Sequence, residues 1–267
     1  MKVKKKNYHK YWSPTKKIDE NLENKSELSI IDELDHLIKT VFSEWSISDV
    51  ETGMFLSSGL DSNLINILIH QNIDIEKFLI NFSGSKFQEN EYEILKKNLG
   101  NKIKKINQFD ISEEEIFDNL DKLISHTYLP LNDYNSLTFM HLCKKVSEKS
   151  NIKVLYSGDG ADEIFGGYKR HYDIYEKIKF EKKNSLEILM AKNYLTLDRM
   201  KIFDRSEVNF LNSRVDIVDE FKSIKGVINK ILINDQMSFL KGYLSRADQI
   251  GMMYGQEIRT PFCDERI

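Results

Sequence analysis

Residues Thr52 to Ile65 read TGMFLSSGLDSNLI and constrain the fold more than any other stretch of the chain. The apolar run Met54-Phe55-Leu56 breaks off into Ser57-Ser58-Gly59-Leu60-Asp61-Ser62, and Leu60, Leu64, Ile67 and Leu68 then recur at helical spacing. This is a strand, a tight polar turn and a helix N-terminus. Small residues let turn amides approach an anion, and the helix start adds unpaired N–H groups and the positive end of its dipole. The stretch therefore suits a phosphate. An ordinary β–α turn made of small residues would look the same in isolation. It is not a Walker loop, because GxxxxGK[ST] is absent and the turn holds no lysine.

A second stretch repeats the pattern with acids. Val154-Leu155-Tyr156 runs into Ser157-Gly158-Asp159-Gly160, followed by Asp162 and Glu163. Acids after a strand also serve as helix caps. Beside a phosphate cradle, however, they suit a nucleoside triphosphate with Mg²⁺, which takes one or two carboxylates and completes its shell with phosphate oxygens and water.

The rest of the chain supplies the frame. Ser26 to Trp45 carries one apolar helical stripe, from Leu28 and Ile31 to Phe42 and Trp45, and predicts core packing along its length. Strands are expected at 52–57, 77–83, 103–106 and 154–156, and helices at 61–71, 89–99, 111–125 and 136–150. Gly100 is placed to end the third of the expected helices. Strands alternating with helices imply right-handed crossovers and an open α/β parallel sheet with helices on both faces. From Tyr168 to Leu244 no strand pattern emerges, and helices at 185–195, 214–222, 225–233 and 235–245 predict a mostly helical extension. Residues 1–25 read as a linker or arm, and 26–267 as the functional domain.

Bulk properties exclude several classes. A net charge of −3 over 267 residues argues against nucleic acid as a main partner. No apolar run approaches membrane-spanning length, and the basic N-terminus has no apolar core behind it, so neither a membrane span nor a secretory signal is expected. Cys143 and Cys263 have no metal-ligand spacing and give no disulfide framework, which fits a reducing cytoplasmic setting. The histidines form no metal or triad pattern and read as core or surface residues.

On these residues the chain resembles a known family. SSGLDS is similar to the SGGxDS loop (PP-loop) of the N-type ATP pyrophosphatases. SGDGADEIFGGY resembles the second signature of the glutamine-hydrolysing asparagine synthetases, in their C-terminal synthetase domain. Residues 246–252 and 257–264 resemble the third, RxDKxGM…ExRxPFLD. The resemblance covers the chain from about Tyr11 onward. It implies an adenine nucleotide alpha hydrolase-like fold, with ATP and Mg²⁺ as cofactors. The reaction would adenylate the side-chain carboxylate of aspartate, after which ammonia gives asparagine, AMP and pyrophosphate. Ser57, Ser58, Gly59, Asp61 and Ser62 would hold pyrophosphate. Asp61, Asp159 and Asp162 would lie at the metal. Leu56, Ile80, Ser157 and Gly158 fall where the family holds AMP, although Ile80 also suits ordinary strand core.

Departures from the pattern matter too. Ser58 replaces a glycine. Gln249 stands where a lysine or arginine usually reaches the reacting phosphate, and Lys86, Lys169 or Arg170 are the candidate substitutes. The family's EPFxDxS pattern keeps Pro130 and Asp133 here but has Leu129 and Asn135 at its first and last positions. Asp133 is open between a substrate contact and a capped loop. Arg246, Glu257 and Arg259 read as a structural ion-pair set, with a role at the site as the alternative. Gly166-Gly167 is either a helix terminator or a close-approach site.

The resemblance also places a Tyr11-Trp12 pair where a glutaminase domain would join, and several more helices beyond Ile267. The chain thus reads as a synthetase domain truncated at its C-terminus. It would draw on free ammonia or a separate glutaminase subunit. β-Lactam synthetases and lasso-peptide cyclases, which activate other carboxylates, and a non-catalytic nucleotide-binding remnant are the alternatives.

Overall fold

A computed structural model describes residues 13–17, 22, 24–69, 75–82, 90–100, 104–127, 135–180 and 224–267. These fall into two compact units. One comprises Glu27–Ala161 with Leu240–Ile267, and the other Met1–Ser26 with Asp162–Phe239. Helices are labelled in chain order among the described residues.

The first unit holds a five-stranded parallel sheet. Its strands are β1 (Thr52–Phe55), β2 (Glu76–Phe82), β3 (Ile106–Ile111), β4 (Val154–Tyr156) and β5 (Glu257–Arg259), in spatial order β3-β2-β1-β4-β5. β1 pairs β2 with Phe55 opposite Phe78, and pairs β4 with Met54 opposite Tyr156. The chain builds outward from β1 to β3 and then restarts on the other side with β4. The order therefore reverses between β1 and β4, and in open α/β sheets ligands bind at such a switch point, outside the strand carboxyl ends.

Both faces of the sheet are buried, which is why its inner strands read as continuous apolar runs. Met54, Leu56, Leu79, Val154 and Tyr156 face one core with α1 (Glu27–Trp45), α2 (Leu60–Leu68) and α3 (Glu91–Leu99). Phe55, Phe78 and Leu155 face the other. There they meet Ile116 of α4 (Glu113–Phe117), Leu123 of α5 (Leu120–His126) and Met140, Cys143 and Val146 of α6 (Asn135–Lys149), together with Ile250. The α/β architecture with a parallel sheet is as expected from sequence.

Several boundaries differ from expectation. The third strand runs from Ile106 rather than ending there, because Ile106 to Ile111 pairs residue by residue with Lys77 to Phe82. The single helix expected over 111–125 is two: a capping box of Ser112 with Glu115 starts α4, and a turn at Asp118 and Asn119 separates it from α5. The stripe of α1 is core only toward its C-terminal end. Val41 and Phe42 are fully buried, whereas Leu28 is 75% and Ile31 51% exposed. A helix of 19 residues is about 28 Å long, and the four-residue β1 spans only about 13 Å, so α1 overruns the sheet.

β5 was not anticipated. It is an edge strand of three residues that follows α10 (Lys241–Met253) and pairs with β4 through Val154–Glu257 to Tyr156–Arg259. Its neighbourhood ties distant parts of the unit together. The Trp45 indole donates to Asp264 Oδ2 at 2.8 Å, and Arg259 Nη1 donates to the carbonyls of Trp45 (2.9 Å) and Ile47 (2.7 Å).

The second unit is helical where described, with α7 (Ala161–Phe165), α8 (Lys169–Phe180) and α9 (Val227–Asp235), followed by a π-helical turn at Gln236–Leu240. The helices expected at 225–233 and 235–245 correspond to α9 and to the π-helical turn and the start of α10. Those expected at 185–195 and 214–222 lie outside the described residues, as do Tyr11, Trp12, Lys86, Leu129, Pro130 and Asp133.

Candidate active site

The turn after β1 is built from hydroxyls and amides. Leu56 extends the strand by donating its N–H to Phe78 O at 2.9 Å, and its side chain is buried in the core. Ser62, buried in the first turn of α2, is the hub. Its Oγ accepts the Ser57 N–H at 3.1 Å and lies 3.0 Å from Ser57 Oγ. Gly59 N–H reaches Ser57 Oγ at 3.2 Å. Asn63 Nδ2 donates to the carbonyls of Ser57 (3.1 Å) and Gly59 (2.7 Å).

The Ser58 N–H donates to Glu91 Oε2 at 2.5 Å, across from α3. Gly59 is the N-cap of α2 with extended backbone and forms no side-chain cap. Among the described residues Lys105 is the one non-glycine with positive φ, so Ser58 is accommodated without a left-handed backbone.

The turn after β4 is built from charge and close approach. Ser157 N–H donates to Arg259 O at 2.9 Å, carrying the β4–β5 ladder one residue further. Ser157 Oγ donates to Asp159 Oδ2 at 2.9 Å. Arg246 of α10 sets its Nη2 3.8 Å from Asp159 Oδ1, and its guanidinium lies 4.8 Å from the Tyr243 ring centre. Gly160 has φ +98°, and a Cβ there would meet Cys263 Sγ at 2.3 Å.

The two turns meet at Gly158. A Cβ on Gly158 would stand 3.2 Å from Asp61 Cβ and 3.5 Å from the Ser62 amide nitrogen. The acidic turn thus lies so close to the start of α2 that a side chain at Gly158 would crowd Asp61, at the β1/β4 switch point. Ile80, on β2, is half-buried and packs against the second core.

Gln249 lies on α10, where its Nε2 donates to Ser245 Oγ at 3.1 Å, one turn back along the helix. Arg246, three residues before it and so on the same side of α10, is the cation that stands beside Asp159. The expected structural ion-pair set therefore divides: Arg259 pairs with Glu257 at 2.7 Å, and Arg246 turns to the acidic turn.

These elements carry the three motifs in family order, and the chain matches the asparagine synthase family over residues 33–267. The chain belongs to the asparagine synthase family. Among its curated relatives, asparagine synthetase [glutamine-hydrolyzing] 1 of Bacillus subtilis is 28% identical over 256 residues, covering 82% of this chain and 39% of the relative. Asparagine synthetase [glutamine-hydrolyzing] 3 of the same organism is 24% identical over 286 residues, covering 98% of this chain and 44% of the relative. The putative asparagine synthetase [glutamine-hydrolyzing] 2 of Methanocaldococcus jannaschii is 35% identical over 134 residues, 48% of this chain and 24% of its own length. The chain thus spans about two fifths of the length of the Bacillus relatives.

The remaining acid of the asparagine synthase signature, Asp162, lies in the first turn of α7 in the second unit. Burial raises its pKa, and the charges of His171 and Arg170 partly offset the rise. Gly166 and Gly167 both send N–H groups to Asp162 O, and a Cβ on Gly167 would overlap the Asp162 carboxylate. The pair therefore ends α7 and permits close approach at once. Glu163 is fully buried and accepts from Tyr168 Oη at 2.6 Å. Arg170 and His171 both bond the fully buried Asp235, at 2.5 and 2.7 Å, while Lys169 pairs with Asp173 at 2.9 Å on the surface.

No group of three or more His, Cys, Asp or Glu able to hold a metal occurs among the described residues. A donor set of one or two carboxylates still fits Mg²⁺ bound to a polyphosphate, since the ligand supplies phosphate oxygens. Sequence reasoning missed Glu91. The Asn90-Glu91 pair signalled only the start of a helix, and nothing in it foretold a bond to a turn 33 residues earlier.

Proposed function

We propose that this chain is the synthetase part of an ATP-dependent, amide-forming carbon–nitrogen ligase that makes asparagine. Family membership supports the reaction class, and the close approach of the two signature motifs at Gly158 carries the reading for this chain. The turn at 57–62 would receive the β- and γ-phosphates, with the uncapped start of α2 facing negative charge. Leu56, Ile80, Ser157 and Gly158 would border the nucleoside. Asp61 and Asp159 would hold Mg²⁺, which when bound offsets the charge of the departing pyrophosphate. Arg246, poised at Asp159, would add positive charge on the same side.

In the first step a carboxylate oxygen of aspartate attacks the α-phosphorus, and the bond to pyrophosphate breaks. In the second, ammonia attacks the acyl carbon, AMP leaves with the bridging oxygen, and the nitrogen loses a proton. Positioning and charge stabilisation supply the acceleration, with no protein nucleophile. The curated relatives are named glutamine-hydrolysing, which supports ammonia delivered from glutamine by a glutaminase, as a partner subunit or otherwise.

The test is release of AMP and pyrophosphate by the purified chain from ATP–Mg²⁺, with aspartate and ammonium each present or withheld. Pyrophosphate release that requires aspartate, and asparagine that requires both, is expected. A folded chain that releases none with aspartate overturns the reading. Release with another carboxylate alone would replace aspartate as the substrate.

A further inference from the structure

We propose that Glu91 is a positioning residue that fixes the polyphosphate turn from outside, an inference that rests on the nucleotide-binding reading above. Three successive amides of the turn are all spent on acceptors. Ser57 N–H goes to Ser62 Oγ, Gly59 N–H to Ser57 Oγ, and Ser58 N–H to Glu91 Oε2. Two of those acceptors belong to the turn and its own helix, and would travel with it if the turn shifted. Glu91 alone belongs to another element, the first turn of α3.

Glu91 is free for this task because α3 is capped by its neighbour. Asn90 Oδ1 accepts the N–H groups of Tyr92 (2.9 Å) and Glu93 (3.3 Å). The hydrogen bond that Glu91 accepts from the Ser58 N–H has a charged acceptor, the stronger class. It has a second consequence. A carboxylate seated on the Ser58 amide keeps a phosphate off that amide, because two anions cannot share one donor in a turn that holds no cation. The polyphosphate is then left the α2 side of the turn, where Gly59 offers no side-chain cap. Glu91 would thus set where along the turn the phosphates sit, without touching them.

The experiment measures binding of Mg²⁺–pyrophosphate, and separately of AMP, to the wild-type chain, Glu91→Ala and Glu91→Gln by calorimetry, with thermal melts alongside. Glu91→Ala is expected to weaken pyrophosphate binding by about tenfold or more, the scale of one hydrogen bond to a charged acceptor. AMP binding should stay within about twofold. Glu91→Gln keeps an acceptor oxygen and should recover most of the loss. A general loss of structure would lower both affinities together.

Pyrophosphate binding that is unchanged in both variants, weakened in parallel with AMP, or tightened by removal of the carboxylate overturns the role of Glu91 and leaves the wider reading standing. A folded wild-type chain that binds neither ligand overturns both. Should Glu91→Ala fail to fold, faster hydrogen exchange at the Ser58 amide in Glu91→Gln than in wild type remains the expected result, since a neutral acceptor holds the amide less firmly. Equal exchange counts against the proposal.

Discussion

The turn after β1 and the turn after β4 occupy equivalent places at the carboxyl ends of adjacent strands, yet they are held by different physics. In the first, hydroxyls and amides close on one another around Ser62, and a charged partner, Glu91, comes from another helix. In the second, a carboxylate is set between a hydroxyl and a guanidinium, and a glycine with φ +98° lets the backbone lie against Cys263. Apart from Asp61, the first turn is thus made of neutral groups, which suits a receiver of phosphate. The second concentrates charge where a metal and a leaving pyrophosphate would need it. Their close approach at Gly158 would let one ligand meet both.

The comparison can be broken most decisively at Asp159. Asp159→Asn should lower aspartate-dependent pyrophosphate release by on the order of 10²–10³. A loss under tenfold in a steady-state assay would remove Asp159 from the charged turn's working part. The next largest effect falls on stability. Gly160→Ala places a Cβ 2.3 Å from Cys263 Sγ at a positive φ. A cost of about 3 kcal/mol in urea unfolding is expected, from overpacking and backbone strain together. Adding Cys263→Ala should relieve the steric part and leave the backbone part. Full recovery in the double variant would show that φ carries no cost there.

Ser62→Ala tests the uncharged turn. It leaves the Ser57 amide without its acceptor and should cost about 1–3 kcal/mol in the same measurement. A smaller effect is expected at Gln249→Lys. With Arg246 already beside Asp159, turnover should change by less than about tenfold, whereas a gain of 10²–10³ would show that Arg246 does not supply the missing cation.

The smallest effect serves as a control away from both turns. Burial lowers the pKa of His141 on α6, helped by the charge of nearby Lys145 and opposed by Glu115. A depressed folded-state pKa means the unfolded chain takes the proton first, so stability from this group is present above about pH 6.5 and is lost as pH falls below it. Replacing His141 with Asn should flatten that limb of the stability profile without altering pyrophosphate binding. A profile unchanged by the replacement would assign the acid sensitivity elsewhere.

What the sequence made legible follows from burial. β1 and β4 sit in the middle of the sheet, buried on both faces, so their apolar runs stood out and the turns behind them could be read directly. β3 and β5 are the edges. In β3 the polar residues Asn107, Gln108 and Asp110 break up Ile106, Phe109 and Ile111, and the nearby Ile103 and Ile106 draw the expected strand toward the wrong end. β5 is only Glu257-Ile258-Arg259, too short and too charged to signal a strand. The stripe of α1 gave the helix but not its length relative to the sheet, so Leu28 and Ile31 were assigned to a core that ends before them. Helical spacing put Arg246 and Gln249 on one side of α10. Arg246 is the one that turns to Asp159, and that depends on how α10 lies against the acidic turn, which periodicity does not encode.

The bonds that Trp45 and Arg259 make near β5 carry a consequence for synthesis. The Trp45–Asp264 bond joins residues 219 positions apart, and β5 pairs with a strand that ends about a hundred residues before it. At a translation rate of about 5–20 residues per second, roughly 5–20 s separate the emergence of β4 from that of β5. Through that interval the β4 edge of the sheet stands open, with its backbone groups unpaired and able to recruit a strand from another chain. The ribosome, rather than the sheet, therefore sets when this edge is closed, and slow codons within 162–239 would lengthen its exposure.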